Sequence, residues 1–229
     1  MTMLLYELVG QDPERPFSPH CWKVVMALEH KGLAYRTVPT PFTAIPTIEG
    51  SGYRTVPVLR DGETVVSDSF AIAQYLERQY PDRPSLFGGP GGEATARFVE
   101  RWCQMVVQAQ MLGLVVKDIH DVLAAEDQAY FRASRETRFG KPLEEFVAGR
   151  EDRLPAFRTT LEPLRSMLSY QPFIGGEAPL FADYIVFGAF QWARVASPFR
   201  LLAEDDPVAA WFERCLDLHE GRGRRVAAA

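Results

Sequence analysis

The chain has 229 residues, 47% hydrophobic and 24% charged, and carries a formal net charge of −5 at pH 7. That length suffices for one large domain or two modest ones, burying roughly 70–75% of the unfolded surface, so no disulfide framework is needed to make a core. The acidic balance argues against a nucleic-acid partner, which needs a clustered basic surface; the densest basic stretch, Gly221 to Arg225, reads as a frayed tail.

Three cysteines, Cys21, Cys103 and Cys215, lie far apart, a count and spacing that fit reduced thiols. The N-terminal MTMLLYELVGQDPERP lacks the basic start and long apolar stretch of a signal peptide. No segment approaches the roughly 18 apolar residues that span a bilayer. The expectation is a cytoplasmic protein without a membrane partner.

Met3 to Val9 reads as a buried strand. After a polar, proline-bearing loop, Phe17 to Gly32 (FSPHCWKVVMALEHKG) reads as a helix, with Ser18 at the N-cap, Pro19 at the first helical position and Gly32 as the stop. A helix start carries roughly half a positive charge and unpaired N–H groups. It is therefore a place for an anion, expected here to be a thiolate beside the Ser18 hydroxyl. Ala34 to Val38 reads as a second strand, completing a βαβ unit with parallel strands and a right-handed crossover.

Pro39 to Arg54 is irregular and reads as a loop with at most one short helix. Val56 to Leu59 and Thr64 to Val66 flank Asp61-Gly62, a hairpin signal. Asp68 to Tyr80 reads as a helix capped by Asp68 or Ser67. Pro81 to Gly92 (PDRPSLFGGPGG) holds three prolines and four glycines, the clearest linker in the chain. Beyond it no strand is evident. Glu93 to Leu123 reads as a long helix with a kink at Gly113, and Phe139 to Tyr170 as another, interrupted near Leu154-Pro155. Phe181 to Val195 is strongly apolar, and Asp206 to His219 is amphipathic and opens at Asp206-Pro207. The expected organisation is an α/β domain over residues 1–82, a linker over 83–92 and an all-helical domain over 93–229.

This order, with Val56-Pro57 before the hairpin and Asp68-Ser69 at the next helix start, resembles the cytosolic glutathione S-transferases. The stretches AGREDRLP (Ala148 to Pro155), TLEPLR (Thr160 to Arg165) and EDDPVAAWFERCLDL (Glu204 to Leu218) extend the resemblance through the second half. With SPHCW and the FADY at Phe181 to Tyr184, the chain looks like the branch of bacterial lignin β-aryl-etherases and fungal etherase-like proteins. The resemblance implies a thioredoxin-like glutathione-binding domain (βαβ-ββα) and an all-α domain that contributes a hydrophobic substrate site. It also implies a detoxifying transferase that uses glutathione as co-substrate on a hydrophobic aromatic small molecule, and a homodimer. No histidine has a metal-like partner spacing, so no metal is expected.

Within that family the Val56-Pro57 bond is cis and the Val56 backbone pairs with the cysteinyl backbone of glutathione like an added strand, with Pro57 as scaffold. Ser69, at its helix start, is implied to bind the γ-glutamyl carboxylate, with Asp68 near the ammonium group; both residues also read as a plain helix cap. Arg54 is the only cation between Pro39 and Val56. It is either the partner of the glycyl carboxylate or a solvated loop arginine.

Ser18 either activates the thiol or only caps its helix. A free thiol of pKa about 8.5 is a few per cent thiolate at neutral pH, and lowering it two units needs about 2.7 kcal/mol. A hydroxyl hydrogen bond to a charged group supplies about 1.5–3 kcal/mol and the helix terminus about 0.3–1 more. Ser18-Pro19-His20-Cys21 also has the spacing of a redox C-P-x-C motif whose first residue has become serine. Cys21 then reads as a small core residue, the alternatives being a glutathione-dependent reductase that uses it or a non-catalytic carrier of hydrophobic ligands. Tyr6 is a weaker hydroxyl candidate that reads better as core.

His20 reads as facing the second-substrate pocket or as exposed. Trp102, Met105, Gln108, Met111 and Leu112 fall at helical spacings and read as a substrate wall or as core. One departure from the family pattern is Leu180, three residues before Asp183, where a serine or threonine usually completes a reciprocal helix cap. Its absence costs about 0.5–2 kcal/mol unless Asp183 binds the preceding backbone alone or the helix begins differently.

Overall fold

The computed structural model describes residues 2–229. Strand β1 (Met3–Leu8), helix α1 (Pro19–His30) and strand β2 (Tyr35–Thr40) form the expected βαβ unit, with β1 and β2 parallel. β2 runs two residues past Val38, through Pro39, which the sheet tolerates because β2 is an edge strand. Strands β3 (Val58–Asp61) and β4 (Thr64–Ser67) form an antiparallel hairpin, and β3 pairs antiparallel with β1 in a sheet ordered β2-β1-β3-β4. Asp61 pairs with Thr64, so the turn residues are Gly62-Glu63, one position later than expected; Gly62 takes φ +61° there. Helix α2 (Ser69–Gln79) completes a thioredoxin-like unit.

Helix α3 (Pro90–Trp102) begins inside the stretch read as linker, with Pro90 at the start of its first turn, where a missing N–H is harmless. Gly92 is needed there, since a Cβ would lie 1.8 Å from the Phe87 carbonyl oxygen. The expected long helix runs on through a π-helical segment, Cys103–Gln108, into α4 (Ala109–Asp121). Its irregularity is therefore at 103–108 and not at Gly113, whose carbonyl accepts from Arg153 at 2.9 Å within regular helix.

Helix α5 (Ala125–Phe139) is not apparent in the sequence, because only Asp127 and Phe131 of its residues are fully buried. The single helix expected over Phe139 to Tyr170 is three: α6 (Leu143–Val147), α7 (Arg150–Thr159) and α8 (Glu162–Leu168). Left-handed Gly140 closes α5 and left-handed Gly149 precedes α7, whereas Pro155 sits inside α7 without ending it.

Helix α9 (Phe181–Ala196) is buried along almost its whole length, and α10 (Pro207–Gly221) loses helical geometry at Leu218. The missing cap at Leu180 is replaced from elsewhere. The buried Asp183 carboxylate accepts the N–H groups of Ile174 (2.7 Å), Gly175 (2.9 Å) and Leu180 (3.0 Å), and the Trp211 indole N–H at 3.1 Å. The helix thus begins where expected, and Asp183 binds the backbone before it, with Trp211 as an added donor.

Helices α1 and α9 join the two halves. A Cβ at Gly188 of α9 would lie 2.3 Å from the Pro19 carbonyl oxygen, so only glycine permits this approach to the start of α1. Three residues on, Trp22 packs edge-on against Phe187 with ring centroids 6.0 Å apart, and buried Lys23 pairs with Glu100 of α3 at 3.1 Å. No helix among the described residues is long and apolar enough to cross a membrane.

Candidate active site

Local chemistry fixes the start of α1. Ser18 is the N-cap, with φ −59° and ψ 126°, and its oxygen accepts the Cys21 N–H at 3.3 Å. The Trp22 indole donates to the Pro16 carbonyl at 2.9 Å, which ties the incoming loop to the helix it feeds. Ser18 is 4% exposed and lines a cavity of about 310 Å³.

Cys21 points elsewhere. Its thiol is buried, donates to the Tyr6 carbonyl at 3.9 Å, and is pushed up to about 12 by burial despite hydrogen bonding with Ser18 and Leu8. At neutral pH it is a protonated core residue and not a nucleophile. Tyr6 is half-buried and bonded through its hydroxyl to Glu49, away from the cavity.

His20 lies in the cavity wall. Burial pulls its imidazole down to about 3, Lys23 adds to the effect, and Asp68 opposes it, so the ring is neutral across physiological pH.

Arg54 and Val56 line the same cavity, Arg54 exposed at its rim, and the Val56-Pro57 bond is cis. Val58, the residue after Pro57, pairs with Ser67, so α2 starts one strand spacing from this point. Asp68, rather than Ser67, caps α2: one carboxylate oxygen accepts from Phe70 (3.0 Å) and Ala71 (2.9 Å). Asp68 does so at φ 75° and ψ 128°, a strained backbone of the kind that costs about 1–3 kcal/mol and gathers at functional sites. Ser69 follows as the first helical residue, buried.

The rest of the wall holds residues that sequence reasoning missed. Asp127 of α5 accepts the N–H groups of Phe42 (2.7 Å) and Thr43 (2.9 Å), capping a 3-10 segment, Phe42–Gly50, within the expected irregular region. This pins Phe42 and Ile45 into the cavity wall, with the Phe42 ring 5.6 Å from Phe131. Tyr130, Phe131 and Arg135 of α5 and Trp192 of α9 complete the aromatic side.

Of the expected stripe on the long helix, Leu112 reaches the cavity, joined by Ile119 one heptad later. Trp102, Met105, Gln108 and Met111 do not line it. Met111 is fully buried core, Met105 is 67% exposed, and Trp102 and Gln108 are half-buried. At about 100° per residue the three-residue steps from Trp102 to Met111 drift by half a turn, so these residues do not share one face even in a regular helix, and the π-helical segment at 103–108 shifts the phase further.

The structure therefore gathers Ser18, His20, Arg54 and Val56 around one cavity, with the Asp68-Ser69 helix start close by. A larger cavity, about 570 Å³, lies among residues of α9, α10 and the C-terminal end and includes none of these. Among the described residues no group of three or more His, Cys, Asp or Glu side chains gathers in a metal-binding arrangement.

Comparison with known proteins agrees with this arrangement at both ends of the chain. Residues 13–84 match the family described as glutathione S-transferase, N-terminal domain, and residues 94–218 match glutathione S-transferase, C-terminal domain. The glutathione S-transferase-like protein ustS of Aspergillus flavus is 28% identical over 212 residues, covering 78% of this chain and 75% of that one. The crystal structure of glutathione transferase GSTFuA3 from Phanerochaete chrysosporium superposes with a TM-score of 0.77 at 30% identity, covering 99% of this chain and 94% of that one. That of glutathione S-transferase CsGST83044 of Ceriporiopsis subvermispora, in complex with glutathione, gives a TM-score of 0.75 at 25% identity, covering 99% and 96%. The chain belongs to the glutathione S-transferase family.

Proposed function

We propose that this protein transfers glutathione to a hydrophobic aromatic electrophile, and that the Ser18 hydroxyl holds the glutathione sulfur as a thiolate. The observation that carries the reading is the buried Ser18 hydroxyl at the start of α1, in the wall of a cavity whose opposite side is aromatic. Glutathione is the co-substrate. Its cysteinyl backbone pairs with Val56 beside Pro57, its γ-glutamyl carboxylate meets Ser69 with Asp68 near the ammonium, and its glycyl carboxylate meets Arg54. The sulfur then lies beside Ser18, where one charge-assisted hydrogen bond and the helix terminus suffice to lower its pKa by about two units.

Neutral His20 borders the electrophile and adds no charge that would repel or trap the product. The thiolate attacks the electrophilic carbon, a C–S bond forms, and the leaving group departs with the bonding pair. On an aryl ether the leaving group is a phenoxide, which is the β-etherase reaction suggested by the branch resemblance. Cytoplasmic detoxification is the setting that fits such chemistry. Homodimerisation belongs to the same reading: Phe98 and Met105, seven residues apart and 72% and 67% exposed, present an apolar face on the α3 side that a second copy would cover.

Ser18→Ala tests the reading. It should cut conjugation of a generic aromatic electrophile at least about tenfold while glutathione still binds. An unchanged rate removes Ser18 from the mechanism, and a protein that binds aromatics tightly but turns over neither generic electrophiles nor aryl ethers is a carrier. Size-exclusion chromatography with light scattering tests the dimer, and a monomer at all concentrations contradicts it.

A further inference from the structure

We propose that Arg135 makes the site selective for aromatic electrophiles that carry an acidic group, by binding that group's anionic oxygens while the ring lies against the aromatic wall. The proposal rests on the transferase reading above and narrows it to a substrate class.

The charge lining the cavity is one-sided. The chain as a whole has 30 acidic and 25 basic residues, yet two arginines and no aspartate or glutamate line this cavity. Arg54, at the rim beside Val56, is accounted for by glutathione. Arg135 lies on α5, among Phe42, Tyr130 and Phe131, and is surplus to that requirement.

Arg135 also lacks the carboxylate partners that Arg132 of the same helix has. Arg132, one turn earlier, is paired with Glu136 and Glu144, and Arg150 is paired with Asp118. No carboxylate among the described residues pairs with Arg135; its one side-chain partner is the Ser134 hydroxyl at 3.0 Å. The guanidinium instead stacks over the Phe131 ring at 4.5 Å from the centroid and stands 5.8 Å from that of Phe42. Burial lowers its pKa, and of the charges that act on it Tyr130 opposes and Arg138 reinforces that shift. A guanidinium has five N–H donors in a fork that matches a carboxylate, and here most are unused in a half-buried setting. The group that completes the site is an acceptor-rich anion attached to a ring: a carboxylate on an aromatic electrophile.

A matched pair of electrophiles tests this: a neutral chlorodinitrobenzene, and the chlorodinitrobenzoate with its carboxylate opposite the chlorine. With either, the glutathione thiolate bonds to the chlorine-bearing carbon and chloride leaves with the electron pair. The ratio of kcat/KM for the benzoate over the neutral probe should exceed unity in the native protein. It should fall at least about tenfold in Arg135→Met, mainly through KM, because a hydrogen bond to a charged group contributes that much to binding. Arg135→Lys keeps the charge without the fork and should retain part of the ratio. Arg135→Gln carries the expectation of the methionine variant if the latter does not fold.

Calorimetric binding of the unreactive dinitrobenzoate, against dinitrobenzene, reads the same preference without turnover, so it stands even if the Ser18 chemistry fails. No native preference for the anionic probe in rate or binding, or an unchanged ratio in the variants, overturns the proposal. A parallel loss of glutathione affinity also overturns it, by placing Arg135 in the glutathione site instead.

Discussion

Gly188→Ala should disable the enzyme more than it destabilises it. In a helix interior alanine is favoured over glycine by about 1 kcal/mol, so propensity alone predicts a gain. The new Cβ, however, would lie 2.3 Å from the Pro19 carbonyl oxygen and 3.3 Å from its carbon, where ordinary contact begins at 3.4 Å. Both are backbone atoms, so α1 or α9 must retreat by about 1 Å. Overpacking of this kind costs about 1–3 kcal/mol, which leaves a net loss of about 0–2 kcal/mol after the propensity gain. Pro19 follows Ser18 directly, so the same retreat carries the hydroxyl with it. A displacement near 1 Å at a reacting group costs roughly a hundredfold in rate. Urea denaturation and conjugation kinetics measured together check both figures. Gly91→Ala is the control, because its Cβ would meet nothing within 4 Å in the first turn of α3, and it should be neutral or slightly stabilising. Full activity and unchanged stability in Gly188→Ala would refute the claim that this contact sets the position of Ser18.

Burial raises the Glu7 carboxyl from 4.5 to about 7, with Thr37 and Arg222 pulling the other way and Glu14 adding to the rise. The folded protein then keeps a proton that the unfolded chain releases, so stability falls as pH rises from 4.5 to about 7, by about 3 kcal/mol in all. Glu7→Gln should remove that loss, stabilising the protein at about pH 8 and not at about pH 4; an equal effect at both contradicts the assignment. Asp183→Asn should cost about 3 kcal/mol or more in thermal or chemical denaturation, because an amide cannot accept all four N–H groups now held by the carboxylate. His20 should show no imidazole titration between about pH 5 and 8 by NMR, and a midpoint near its ordinary 6.5 would mean the cavity wall is wetter than the structure shows.

The start of α1 was legible because capping is local: serine, proline and the following apolar run specify an N-cap without reference to the rest of the chain. The hairpin was legible for the same reason, with the turn displaced by one residue because strand pairing decides register. What distant packing decides stayed hidden. Helix α5 buries few apolar side chains and reads as a charged surface, so Asp127, Tyr130 and Arg135 had no periodic signal to announce them. The three-residue steps from Trp102 to Met111 wind half-way round the helix, and the π-helical segment between them adds a change of pitch that nothing in CQMVVQ marks. Leu180 stands out in the sequence as a missing cap, but Trp211, the added donor to Asp183, lies 28 residues further along with no local sign of that role. Gly188, within the apolar run of α9, gains its meaning only from Pro19.

Ser18 is proposed to stabilise the thiolate of bound glutathione. Ultraviolet thiolate absorbance of the protein–glutathione complex, titrated with pH in the native protein and in Ser18→Ala, tests it most directly. The bound thiol should have a pKa about two units below the free value of about 8.5, rising by at least about one unit in the variant. An identical titration in both proteins would contradict it.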